Sequence, residues 1–285
     1  MSRFINKLPR LSFTKSSRLL IFSRRSIATL NDRKGHVETK QTDQNYENHI
    51  PISGIERSVL TVGAAVAALS DPLRGDMVAT LGETTGSLFL TRMRDSMLST
   101  TTGRQILKER PTINTTTIDF DRLRQECQPG TFGHAYLSFL DDQGVTPDTR
   151  LPVHFVEDEE LAYVMQRYRE IHDFFHTLTG LGVTVEEELA LKWFEWTHTG
   201  LPMTMLSSLF GPIRLSWSER YRLYGTYVPW ALQCGASCAP LMSVFYERHF
   251  YTPLDVFRQE LGIIPPPPFP SSATVTAPPP SSSQA

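Results

Sequence analysis

His172-Asp173-Phe174-Phe175-His176, followed after eleven intervening residues by Glu188, is the grouping in this 285-residue chain whose residue types and spacing could do chemistry. Two imidazoles four positions apart on a helix lie on one face, a turn apart. That spacing suits two nitrogen ligands on a single metal ion. Asp173 and Glu188 add two oxygen donors. A set of two nitrogens and two carboxylates suits Zn²⁺, and also Co²⁺, Fe²⁺ or Mn²⁺.

The plainer reading is a pair of core histidines with no ion. Two other chemistries share part of the pattern. A His-Asp doublet occurs in phosphohydrolases of the His-Asp type, which need a further upstream histidine and a downstream aspartate; His154 and Asp255 are weak candidates. The zincin helix has the same histidine spacing, but Asp173 stands where that motif carries its general-base glutamate. A side chain one methylene shorter is better placed as a ligand or as an anchor for one.

The elements around the grouping must be helices. Leu161, Val164, Met165, Tyr168, Ile171, Phe175 and Leu178 recur at three- and four-residue steps, the mark of an amphipathic helix. Acidic residues 157–160 suit its N-terminal end. His172 and His176 fall inside the apolar stripe, with Asp173 at its edge, and burying such groups is costly unless they are paired or ligated. Thr179-Gly180-Leu181-Gly182 ends the helix. Thr184, with Glu187 as its capping-box partner, starts a second that runs to about Trp196. A short glycine loop makes the two an antiparallel hairpin. At ~1.5 Å per residue, His176 lies about 4–5 Å before the loop and Glu188 about 6 Å after it, so the two face each other. Glu186 and Glu187 point elsewhere; Glu195 shares the face of Glu188 and could support a ligand.

Elsewhere, helices are expected over Val59–Leu69, over Gly82–Leu98, after Thr102-Gly103 as far as Glu109, and over Phe120–Glu126, with turns at 129–133 and 147–148. The stretch Leu201 to Leu206, with Leu209 and Phe210, is core or an apolar groove. Cys127, Cys234 and Cys238 are too few for a disulfide framework. Cys234 and Cys238, four apart, could join a metal site with His249, but read better as core thiols.

The net charge of −2 hides seven basic residues, and no acidic one, in residues 1–30, which leaves −9 on the remainder. So acidic a body argues against nucleic-acid binding. The basic, serine-rich first 30 residues have the composition of a mitochondrial transit peptide. Residues 31–49 read as a polar linker, 50–264 as one all-α domain with the hairpin at its centre, and 265–285 as a Pro/Ser-rich disordered tail.

The metal grouping, its flanks 158–170 and 191–195, and Gly200-Leu201-Pro202-Met203, Gly211-Pro212-Ile213-Arg214-Leu215, Val228-Pro229-Trp230-Ala231, Asp71-Pro72-Leu73-Arg74-Gly75-Asp76, Gly103-Arg104-Gln105-Ile106-Leu107 and Pro129-Gly130-Thr131-Phe132-Gly133 together resemble the ubiquinone (coenzyme Q) biosynthesis protein 4 family. The resemblance covers about residues 50–264. It implies a peripheral protein on the matrix side of the mitochondrial inner membrane, within a multi-subunit complex of coenzyme Q enzymes. It implies a carbon–carbon lyase that removes the C1 carboxyl of 4-hydroxy-3-methoxy-5-polyprenylbenzoate to give 2-methoxy-6-polyprenylphenol, with oxidation at C1 as a further option. The alternative is a non-catalytic lipid-binding scaffold that organises that complex. The resemblance carries His172, Asp173, His176 and Glu188 as metal ligands and assigns no catalytic acid or base. Glu195 and Arg169 are candidates for acid–base or carboxylate-binding roles, though a structural role suits each better. The implied partners are the other pathway enzymes, the lipid substrate and the membrane surface, with a homodimer left open. If the leader is a transit peptide, the N-terminus of protein recovered from mitochondria is expected near Arg24-Arg25-Ser26-Ile27; an intact Met1 there would rule it out.

Overall fold

Apolar residues at helical spacing dominate the chain, and helix is what forms. The computed structural model describes residues 44–70 and 74–268. The expected transit peptide, the expected linker up to residue 43, Asp71-Pro72-Leu73 and the expected tail beyond residue 268 lie outside the described residues. Among those described there are twelve α-helices and no strand: α1 (Gly54–Ser70), α2 (Gly75–Thr85), α3 (Ser87–Ser99), α4 (Thr101–Glu109), α5 (Phe120–Glu126), α6 (Phe132–Gln143), α7 (Glu159–Thr179), α8 (Val185–Thr199), α9 (Pro202–Phe210), α10 (Trp217–Arg222), α11 (Val228–Ser237) and α12 (Leu254–Leu261).

The helix expected over Gly82–Leu98 is two helices. Thr84 and Thr85 turn their hydroxyls back onto the carbonyls of Thr80 and Leu81. Such back-bonding competes with the backbone ladder, and the chain breaks at Gly86 before Ser87 starts α3. The capping box at Thr184 and Glu187 forms as the sequence implied. Gly180 closes α7 in the left-handed conformation, with φ +78° and its N–H on the His176 carbonyl at 2.7 Å. A side chain there would be strained, so the turn into α8 depends on glycine.

The axis of the fold is α7. It is buried on nearly all sides, not along one stripe, with 17 of its 21 residues inaccessible. Its polar residues therefore need partners from whatever packs around it. Arg167 makes a two-pronged ion pair with Glu247 and reaches the Val244 carbonyl at 3.2 Å. Glu170 accepts the Ile113 N–H at 3.0 Å, and burial pushes its carboxyl pKa up. Arg169 donates to Glu83 at 2.6 Å and to the carbonyls of Ala79 and Leu151. The other Glu83 oxygen accepts the N–H groups of His154 and Phe155. This buried pair fastens α2 and the segment after Arg150 to α7.

On the far face of α7, Phe174 meets Tyr136 edge-on at 4.6 Å, Phe132 at 5.2 Å and Tyr246 at 4.8 Å. That aromatic cluster joins α6 and the C-terminal segments to the axis and belongs to a single core. Helix α8 packs on α9 and α11. A methyl group on Gly235 would come within 2.8 Å of the Phe194 carbonyl, so α11 approaches α8 as closely as glycine permits.

Because Glu83→Ala would strand the buried Arg169 guanidinium, it is expected to destabilise the fold by about 3–5 kcal/mol. Urea unfolding of the variant against the parent measures this.

Candidate metal centre

The α7–α8 hairpin brings three of the four expected ligands together. The ligand atoms of His172, His176 and Glu188 all lie within 4.8 Å of one another. The two Nε2 atoms are 3.2 Å apart, and His176 Nε2 is 3.3 Å from Glu188 Oε1. Order is reversed across the pair, with His176 beside Glu188 and His172 beside Glu195, as antiparallel helices require. Asp173 turns away from this group. Its carboxylate is buried and ion-paired with Arg150.

The hydrogen bonds fix which nitrogens are free. His172 Nδ1 lies 2.6 Å from Glu195 Oε1, and His176 Nδ1 lies 3.1 Å from the Leu181 carbonyl. Both partners only accept, so each neutral ring carries its proton on Nδ1 and turns a bare Nε2 lone pair toward the other. Two lone pairs at 3.2 Å repel unless a cation lies between them. Tetrahedral ligands about 2.0–2.1 Å from an ion sit roughly 3.3 Å from each other. The donor set and its spacing therefore fit a bound divalent metal.

The surrounding charges prepare the same state. Burial alone would raise the Glu195 carboxyl, but Lys192, 2.6 Å away, and His172 outweigh it and bring its pKa down to about 2. Burial likewise opposes Glu188, yet His176, 3.3 Å away, and Lys192 hold it well below the usual carboxylate range. Burial, then Lys192, push the His172 imidazole below its ordinary 6.5 in spite of Glu195. His172 and Glu188 are thus biased toward their metal-binding protonation states, neutral imidazole and ionised carboxylate.

The neighbouring acids are spoken for. Glu187 caps α8 through Thr184, and Glu186 pairs with Arg222 at 2.6 Å. His154 bonds the Asn48 carbonyl and Asp255 sits exposed on Arg258, so neither joins the grouping. Arg169 is consumed by Glu83 and backbone carbonyls. The histidine beside Cys238 is His198, 3.4 Å away, and not His249, which stacks on Phe257. His198 Nε2 accepts the Leu241 N–H, so its proton stays on Nδ1 and it cannot deprotonate the thiol, whose pKa burial lifts to about 12. The sequence reading did not single out Arg150 or Lys192. Lys192 carried a signal, being four residues after Glu188 and three before Glu195; Arg150, on a loop, carried none.

Two members of the grouping, His172 and Glu188, lie on the wall of a cavity of about 830 Å³, with His176 buried behind them. His172, Glu188, Lys192, Arg150 and Tyr168 form its polar side, while Ala65, Leu69, Val78, Met203, Leu206 and Phe210 are among its apolar lining. The stretch expected to be core or groove is therefore, in part, a cavity wall.

Residues 46–267 match the family model described as "Coenzyme Q (ubiquinone) biosynthesis protein Coq4". The chain belongs to the Coq4 family. Among its relatives are proteins named "Ubiquinone biosynthesis protein COQ4, mitochondrial", from Coprinopsis cinerea, 51% identical over 78% of this chain and 76% of the relative, and its "homolog, mitochondrial" from Bos taurus, 51% identical over 78% and 83%. A crystal structure from Nostoc punctiforme, described as of a ubiquinone biosynthesis protein, shares the fold with a TM-score of 0.57. It is 18% identical and covers 72% of this chain and 97% of its own.

Elemental analysis is expected to find about one bound divalent ion per chain, lost in His176→Ala and in Glu188→Gln. Removing the carboxylate behind His172 with Glu195→Gln should weaken metal affinity about 10–100-fold in chelator competition. The sign of the pH effect follows from His172. Its folded pKa lies below the unfolded 6.5, so the unfolded chain takes up its proton first. The stability that neutral His172 contributes is full above pH 6.5 and falls as the pH drops below it. Metal retention should fall in the same direction, and titration of the bound ion between pH 8 and pH 5 checks it.

Proposed function

We propose that this Coq4-family chain acts in ubiquinone biosynthesis and removes the C1 carboxyl of a 4-hydroxy-3-methoxy-5-polyprenylbenzoate with the help of a divalent ion held by His172, His176 and Glu188. The observation that carries this reading is the three-donor grouping, two of whose members, His172 and Glu188, lie on the wall of a largely apolar cavity of about 830 Å³. Such a volume lies in the range of small-molecule sites. Its two kinds of lining match an amphiphile, with a charged aromatic head at the hairpin and an isoprenoid tail along α1, α2 and α9.

A bound ion would act as a Lewis acid toward an oxygen of the head group. The chain's own residues do the rest. The bond from C1 to the carboxyl breaks, carbon dioxide leaves, and C1 takes a proton while the para hydroxyl feeds electrons into the ring. Lys192 and Arg150 place positive charge where the carboxylate must rest before it leaves. Burial of His172 and Glu195 keeps that end of the cavity poor in water, which strengthens each electrostatic contact. Met203, Leu206 and Phe210 offer the tail an apolar wall.

The relatives' names support placement in the mitochondrion, and we read the protein as peripheral to the inner membrane on its matrix side, beside the other enzymes of the pathway. Among the described residues no helix is long and apolar enough to cross a membrane. A second reading, a lipid-binding organiser without turnover, is favoured by a different observation. Helix α1 exposes Ile55, Val59, Val62, Val66 and Leu69 on one stripe, and Ile213, Trp217 and Tyr221 are bare as well. Exposed apolar surface of this kind is more typical of a contact face than of a free enzyme.

Turnover separates the two. Purified, metal-loaded protein given a short-chain substrate is expected to release carbon dioxide, and Glu188→Ala to abolish release while leaving assembly with the other pathway proteins intact. If release is never seen and Glu188→Ala instead dissolves the assembly, the organiser reading stands.

A further inference from the structure

Asp173, the one member of the four-residue sequence grouping that stands apart, has a different partner from the other three. It adjoins His172 in sequence, and its buried carboxylate holds Nη2 of Arg150. Arg150 leaves the short 3₁₀ turn Pro147–Thr149 and reaches the wall of the cavity beside His172, Glu188 and Lys192. Asp173 engages one corner of the guanidinium. The Nε atom of Arg150 is buried and has no hydrogen-bond partner. An N–H enclosed by protein cannot itself reach a ligand, but the Arg150 side chain is 30% exposed and Asp173 is its one hydrogen-bond partner among the described residues, so the rest of the guanidinium is left for an acceptor in the cavity.

Charge points to what that acceptor is. Asp173, Glu188 and Glu195 bring three negative charges to this end of the cavity, and Arg150 and Lys192 bring two positive ones. With neutral imidazoles the end is negative by one charge and repels an anion. A divalent ion at the hairpin makes it positive by one, which favours an incoming monoanion. The planar fork of arginine matches a carboxylate better than any other side chain does.

We propose that Arg150, held in place by Asp173, is the receptor for the carboxylate of the substrate's head group, and that Asp173 is a positioning residue for Arg150 and not a metal ligand. This rests on the reading of the cavity as a site for a polyprenylated benzoate, and it assigns the end of that site which distinguishes substrate from product. The product has lost the group that Arg150 binds, so its hold on this end relaxes as carbon dioxide leaves.

The experiment is equilibrium binding to full-length, metal-loaded protein, followed by calorimetry. The two probes are a short-chain 4-hydroxy-3-methoxy-5-prenylbenzoate and the matching phenol without the carboxyl. Arg150→Gln is expected to weaken the benzoate about 30-fold or more and the phenol less than about threefold, as the loss of one charge-assisted pair implies. Arg150→Lys should recover part of the difference. Asp173→Asn should weaken the benzoate by less than Arg150→Gln while the metal content stays at the parent's value. Phenol binding reports that each variant is folded. Equal loss of both probes in Arg150→Gln, or of neither, overturns the carboxylate assignment and leaves the substrate reading standing. Loss of metal in Asp173→Asn, to the level seen in Glu188→Gln, overturns the positioning role. Failure of the parent protein to bind either probe overturns the substrate reading and this assignment with it.

Discussion

A helix sheathed on nearly every side has little room to leave a charge in water, and beyond its exposed first turn α7 carries two arginines, one glutamate, an aspartate and two histidines. Each must be answered from outside the helix, so its partners dictate what packs where. Glu247 and Val244 draw the C-terminal segments in through Arg167; Glu83 draws α2 and the 151–155 segment through Arg169; Glu188, Glu195 and the Leu181 carbonyl draw α8 and its turn through the histidines. Paired buried charges contribute little net stability, because desolvation offsets their attraction. Their effect is on arrangement, since a misplaced neighbour would leave one of them unpaired.

That economy also explains the candidate metal centre. Its histidines sit in the same buried helix under the same rule, but only Nδ1 of each donates to a protein acceptor, and at Nε2 the pair meets each other and the Glu188 carboxylate without a donor. For the charged side chains Arg167, Arg169, Glu170 and Asp173 of α7, the protein supplies a counterpart. The cavity that opens on His172 is lined by α1, α2, α8 and α9 together with α7, so no single element could have announced it. Gly82 is part of the reason the walls meet as they do: any side chain on it would overlap the Met203 sulfur, and α2 and α9 close together along that contact.

How much of this was legible in the sequence depended on range. The capping box at Thr184 and Glu187, the glycine stop at Gly180 and the i, i+4 histidines are local, and they read correctly because neighbouring residues decide them. The hairpin made Glu188 a partner of His176 by simple counting of rise per residue. What counting missed was set by tertiary contact. Asp173 sits where a ligand could be, yet Arg150, on a loop 23 residues earlier, takes its carboxylate. The apolar stripe expected of α7 widened into burial all round, because the partners of its charges are scattered from residue 83 to residue 247. The split at Gly86 was hidden for a subtler reason: threonine hydroxyls, not a proline, interrupt the ladder.

The facing lone pairs of His172 and His176 bear on the life of the protein in the cell as well as on its chemistry. Without an ion, two bare nitrogens are pressed together in a buried position where taking up a proton is disfavoured, and opening the hairpin relieves them. An ion relieves them without opening. With a site that binds an ion, the population of open chains, which is what proteases and chaperones act on, would follow metal supply. A shortage of the ion would first be seen as a fall in the amount of this protein, ahead of any slowing in the molecules that remain.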